Sequence, residues 1–103
     1  LQIDLALKLK AYGIEINTGK YSESTPSSAV KELNRIKKAA AYSTALNLYT
    51  AAGHGLNESN LAMLVKIRDI KEYNIGHSII SNAIFYGLYD SIKRIQDIIN
   101  IND

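Results

Sequence analysis

YTAAGHGLNESN, residues 49–60, is the stretch on which the fold turns. A β-prone run ends in a histidine held between two glycines, Gly53-His54-Gly55, and is followed by asparagines and a serine suited to capping a helix. A plain turn would need no histidine there. Glycine on either side admits positive φ and lets another molecule come close, so the imidazole reads as presented and not packed.

Working outward, the strand-then-helix pattern recurs. Upstream, Gln2 to Tyr12 spaces Ile3, Leu5, Ala6, Leu9 and Tyr12 as a helix, and Gly13 stops it. Ile14-Glu15-Ile16 reads as a strand closed by Thr18-Gly19, and the polar segment Lys20 to Ser28, with Pro26, reads as loop. Ser27 or Ser28 is the expected cap of a helix whose stripe is Val30, Leu33, Ile36, Ala40 and Ser43, ending near Asn47. Leu48 to Ala51 form the second strand. Asn57 to Asn60 cap a helix carrying Leu61, Leu64 and Val65 that ends near Arg68-Asp69. Tyr73-Asn74-Ile75 is the third strand and runs into Gly76-His77. A short helix over Ser78 to Phe85 and a final one with Leu88, Ile92, Ile95, Ile98 and Ile99 on one face complete the chain.

Alternating strands and helices with such connections predict an α/β fold of parallel βαβ units. At roughly 25 to 35 residues per unit, the 103 residues hold about three of the eight units of a closed (β/α)8 barrel, which needs about 250 residues. A start at Leu1, with no methionine, fits a piece of something longer.

Composition narrows the function. With 47% hydrophobic and 21% charged residues, the chain is expected to be one globular unit over 1–103, not a disordered segment. Twelve basic and ten acidic residues are interspersed, so no basic stripe argues for nucleic acid. The absence of cysteine excludes disulfides and thiolate metal sites and makes a reducing cytoplasm the simplest compartment. No apolar run is long enough to cross a bilayer, and no membrane partner is expected.

The two histidines, His54 and His77, are the only ones, and each follows a glycine at the carboxyl end of an expected strand, where the active sites of such barrels collect. Imidazole exchanges a proton near neutral pH, which suits a general acid or base. Metal ligation is the other use of such histidines. Against it stand the lack of a His-x-x-x-His pair and of cysteine, and a single strand carboxylate, Glu15. Glu15 alternates with Ile14 and Ile16, so it faces either a barrel lumen or the helices, and needs a partner in either place. Gly76-His77 with a helix from Ser78 is the arrangement that offers free backbone N–H groups to a phosphate; an ordinary connection with a serine cap has the same spacing.

TAAGHGLNESN, followed by EYNIGHSIISNAIFYGL and preceded by IEINTGKYS, resembles the carboxyl-terminal part of the pyridoxine 5'-phosphate synthase family of vitamin B6 synthesis over essentially the whole chain. The resemblance implies the sixth, seventh and eighth strands of a (β/α)8 TIM barrel with their helices. It implies a transferase reaction condensing 3-amino-2-oxopropyl phosphate with 1-deoxy-D-xylulose 5-phosphate to pyridoxine 5'-phosphate, phosphate and water, with neither metal nor organic cofactor, in a homo-octamer. By matching position, His54 corresponds to a proton donor and Gly55 to a backbone contact with the amino-ketone phosphate. Gly76 and His77 correspond to a phosphate-binding pair, and Glu15, in Glu-x-x-Thr-Gly, to a carboxylate that stabilises the transition state. Ala51, Asn17 and Asn82 depart from the family's usual asparagine, histidine or tyrosine, and arginine. The family's first strands, with further catalytic groups, have no counterpart here, so this piece alone is expected to be inactive. A non-catalytic phosphate-binding or oligomerising α/β module is the alternative.

Overall fold

The structure, a computed structural model, describes residues 2–8 and 12–101. Within these, the elements run α1 (Gln2–Lys8), β1 (Gly13–Asn17), α2 (Gly19–Ser22), α3 (Pro26–Ala45), β2 (Tyr49–Gly53), α4 (Glu58–Leu64), β3 (Glu72–Asn74), α5 (His77–Tyr86) and α6 (Leu88–Ile101). The three strands make one parallel sheet in the order β1-β2-β3. The alternation expected from sequence is therefore present: an α/β chain with a three-stranded parallel sheet, consistent with part of a barrel. Residues 9–11 of the first expected helix lie outside the described residues.

Strand parity decides which side chains build the core. Ile14, Ile16, Ala52 and Tyr73 face the helices and join Ile36 and Ala40 of α3, Leu61 and Leu64 of α4, and Ile95 of α6 in one apolar cluster. Thr50 lies on the same side, and its hydroxyl donates to Ser43 Oγ of α3 at 2.9 Å, which satisfies two buried hydroxyls at once. The opposite parity, Glu15, Asn17, Gly53 and Asn74, lines the sheet face away from that core.

Several boundaries differ from the sequence expectation. The segment expected as loop from Lys20 contains the single turn of α2, whose Tyr21 is buried and donates its hydroxyl to Asn60 O at 2.6 Å. Tertiary packing of that one aromatic residue outweighs weak local propensity. The cap of α3 is Thr25, not Ser27 or Ser28, because Pro26 takes the first helical position and Ser28 completes a reciprocal capping box with Thr25. Val30 is exposed, so the stripe of α3 is narrower than expected. Helix α4 ends at Leu64, short of Arg68, and hydrogen-bonded turns from Leu64 and Ile67 carry the chain to β3. On α6 Leu88 and Ile92 are exposed while Ile95 is buried. Arg94 of α6 clamps Glu58 of α4 with Nε to Oε1 at 2.6 Å and Nη2 to Oε2 at 2.9 Å, and this hydrogen bonding holds the Glu58 carboxyl below its usual range.

Tyr73 ties β3 to α4 through its hydroxyl, which donates to Leu64 O at 3.1 Å, and burial pushes the phenol up to about 12 from 10.0. The folded chain therefore holds that proton more tightly than the unfolded chain. Its contribution is complete below pH 10 and is lost as pH rises toward about 12. Urea unfolding across this alkaline range should show wild-type stability falling with pH. Tyr73→Phe should flatten that fall and cost about 1 kcal/mol at neutral pH for the lost hydrogen bond; an unchanged alkaline slope would contradict the assignment.

Candidate active site

Parallel pairing places Asn17, Gly53 and Asn74 side by side at the carboxyl ends of the three strands, one residue pair above Glu15, Ala51 and Glu72. Every chemically distinctive residue near this rim follows from that row. Asn74 Nδ2 donates to Glu15 Oε2 at 2.5 Å across the sheet. Gly53 sits beneath the pair, where a Cβ would lie 3.2 Å from the Glu15 carboxylate and 3.1 Å from Asn74 Cβ. The strand-end glycine thus makes room for a carboxylate and amide to meet over the middle strand.

Beyond Gly53 the backbone departs from ordinary geometry. His54 has φ 99° and Gly55 φ 73°, both positive. For glycine this is free, whereas for histidine it costs on the order of 1–3 kcal/mol and persists only when neighbours impose it. Thr18, fully buried in the turn after β1, supplies the neighbour: its N–H donates to Gly53 O at 2.9 Å and its hydroxyl to His54 O at 2.8 Å. Gly19 follows, closed into a tight turn by its N–H to Asn17 Oδ1 at 2.8 Å. A Cβ on Gly19 would lie 2.8 Å from His54 Cδ2, so the imidazole rests directly on that glycine. On the far side, a Cβ on Gly55 would come within 2.1 Å of Ser22 Oγ. Two glycine-containing turns are therefore in mutual contact.

The loop is held from below by the start of α4. Asn57 Oδ1 accepts from Ser59 N at 2.9 Å and Asn60 N at 3.1 Å, Asn60 Oδ1 accepts from Asn57 N, and Asn60 Nδ2 donates to Gly55 O at 3.0 Å. The capping expected from the sequence is present, and it also fixes the loop that carries His54.

A cleft of about 510 Å³ opens at this rim, lined by His54, Gly55 and Asn57 on one side and by Asn74, Gly76 and Ser78 on the other. Gly76 caps α5, and His77 is its first residue. The His77 side chain lies outside the described residues, as does that of Asn82. Ser78 Oγ is out of solvent and has no hydrogen-bond partner among the described residues. His54 and Gly76 thus share one hollow, whereas Glu15, on the neighbouring strand, reaches toward it through Asn74.

Thr18, Gly19, Ser22 and Asn74 are not distinguished as site residues by the sequence. Their involvement depends on the register of the sheet and on which turn meets which, and local sequence encodes neither. Thr18-Gly19 reads locally as a strand stop, and Asn74 as one more strand residue. Ala51, one of the departures from the resembled family, is buried in the row with Glu15, and Asn17, another, closes the β1–α2 turn.

A profile of the family described as "Pyridoxal phosphate biosynthesis protein PdxJ" matches residues 1–101. The chain is 48% identical over 98 residues to a protein named pyridoxine 5'-phosphate synthase from Sulfurihydrogenibium sp. (strain YO3AOP1), covering 95% of this chain and 40% of that protein. It is 42% identical over 98 residues to one of the same name from Chlorobium phaeovibrioides, covering 95% and 42%, and 39% identical over 99 residues to one from Blochmanniella floridana, covering 95% and 40%. The chain spans about 40% of the length of the curated relatives it matches.

The contact between Gly55 and Ser22 is testable by itself. Gly55→Ala combines an unfavourable positive φ with a steric collision, and should lower stability by about 1–3 kcal/mol in urea unfolding. Adding Ser22→Gly should recover part of that loss by removing the collision and leaving the backbone cost; no recovery would mean that the two turns do not meet as described.

Proposed function

The chain belongs to the pyridoxal phosphate biosynthesis protein PdxJ family, and from that premise we propose that it is the carboxyl-terminal part of a pyridoxine 5'-phosphate synthase, supplying the sixth to eighth βα units of a (β/α)8 barrel. The reaction is the condensation of 3-amino-2-oxopropyl phosphate with 1-deoxy-D-xylulose 5-phosphate to pyridoxine 5'-phosphate, phosphate and water. It proceeds by acid and base catalysis, without metal or organic cofactor. The observation that carries this reading is the single cleft of about 510 Å³ joining His54 and Gly55, after the second strand, to Gly76 and Ser78, after the third.

Each residue has a task suited to its surroundings. His54, exposed and seated on Gly19, delivers a proton to the substrate at the cleft. Gly55 lines the cleft and offers its backbone to the phosphate of the amino ketone, while Ser22 fills the place that a side chain would take. Gly76 and His77 open α5, whose first N–H groups and dipole favour a phosphate, and the Ser78 hydroxyl at the same end, without a partner among the described residues, offers one more donor. Glu15, with one oxygen taken by Asn74, keeps the other for a cationic intermediate. Imine formation, phosphate loss and ring closure all move protons at fixed points, which a histidine and a carboxylate held at one rim can serve. The partners of the site are phosphorylated small molecules. The setting is the cytoplasm and the assembly a homo-octamer; among the described residues no helix is long and apolar enough to cross a membrane.

The 103-residue chain alone should form no pyridoxine 5'-phosphate, because the rest of the barrel supplies further catalytic groups and covers the edges of β1 and β3. Turnover by the pure piece would overturn that division of labour, and a whole chain that binds phosphate esters without forming product would favour a non-catalytic module. In a whole synthase chain carrying these residues, His54→Ala should lower kcat by about 10²- to 10⁴-fold with little change in KM. Loss of affinity with turnover preserved would remove the proton-donor role.

A further inference from the structure

We propose, resting on the reading of His54 as proton donor, that Thr18 is the positioning residue for that histidine: its hydroxyl holds the His54 carbonyl and thereby locks the left-handed backbone that aims the imidazole at the cleft. Thr18 holds two consecutive carbonyls of the loop, Gly53 O through its N–H at 2.9 Å and His54 O through its hydroxyl at 2.8 Å. It is fully buried, so its own two donors have no water to turn to in place of these carbonyls. The conformation so fixed, φ 99° at His54, is one that a residue with a Cβ does not retain without external constraint.

Geometry assigns the parts of the side chain separate tasks. The methyl group fills buried space, while the hydroxyl is the only part able to donate to a carbonyl. The neighbouring Gly19 completes the seat, because its missing Cβ leaves the place into which His54 Cδ2 fits. Releasing the His54 carbonyl lets the 54–55 peptide rotate, and the ring, borne on a single Cα–Cβ bond, swings off Gly19. A displacement of about 1 Å at a proton donor lowers rate by up to about 100-fold while leaving ground-state binding nearly intact.

The test uses the whole synthase chain, with Thr18→Val (same shape, no hydroxyl) and Thr18→Ser (hydroxyl kept). Thr18→Val should lower kcat about 10- to 100-fold with KM for the amino-ketone phosphate changed less than about threefold, and Thr18→Ser should restore most of the rate. NMR of the same proteins should show the His54 carbonyl-carbon and imidazole signals moved in the valine variant and near their original positions in the serine variant. Product formation by the unsubstituted protein separates the two levels of the argument: if there is none, the synthase reading fails, and the NMR comparison still decides whether Thr18 fixes His54. The proposal is overturned by unchanged kcat and His54 signals in Thr18→Val, by equal loss in both variants, or by a loss of thermal stability alone. Should the valine variant not fold, the unsubstituted protein decides: a Thr18 hydroxyl proton protected from exchange and correlated with the His54 carbonyl supports the latch, and its absence refutes it.

Discussion

Parallel register is the constraint on which the site depends. Pairing Asn17 with Gly53 and Gly53 with Asn74 brings three strand ends level, and a slip by one residue in any strand would turn its functional side chains to the opposite face. Burial enforces that register. Ile14 and Ile16 on β1, Ala52 on β2 and Tyr73 on β3 must all meet the helices, and only one alignment lets them do so while Glu15 and Asn74 meet on the other side. The apolar core and the polar rim are thus two consequences of one alternation along each strand.

Much of this was legible before any coordinates, and what was not has a common physical origin. Alternation of strands and helices, the glycine-histidine pairs and the asparagine cap of α4 are local patterns, read from residues a few positions apart. Thr25 does not stand out locally because three hydroxyl residues flank Pro26 and each has capping chemistry; the proline's fixed φ selects the residue before it. Helix α2 leaves no local signal since it is a single turn held by Tyr21 against α4, a contact 39 positions away in sequence. The partners of the candidate site, Thr18 for His54 and Asn74 for Glu15, are separated by 36 and 59 positions. Nothing in the neighbourhood of either residue announces such pairing.

Glycine placement around His54 shows how a loop can be rigid although it is rich in glycine. Gly53 admits the Glu15–Asn74 pair, Gly19 admits the imidazole, and Gly55 admits Ser22. In each case the missing Cβ is replaced by a specific neighbour, so the freedom glycine has in the unfolded chain is spent on close approach. Asn60 from α4 and Thr18 from the β1 turn then hold the loop carbonyls on two sides. A loop constrained in this way keeps a histidine in a conformation it would otherwise leave, and the strain is localised at the residue proposed to do the chemistry.

The face of the sheet away from the helices follows from the same logic. Toward the carboxyl end it carries two carboxylates, two asparagines and a glycine, with the small Ala51 between Glu15 and Glu72. Such a surface cannot close by apolar packing, because Glu15 and Asn74 would lose water with only one hydrogen bond between them to compensate. Whatever encloses this face must bring polar or charged groups of its own, as the lumen of an enzyme barrel does and an apolar subunit interface does not. The helix side was selected for burial and the rim for hydrogen bonding, and β2, flanked on both sides, carries the transition between them in the five residues from Tyr49 to Gly53.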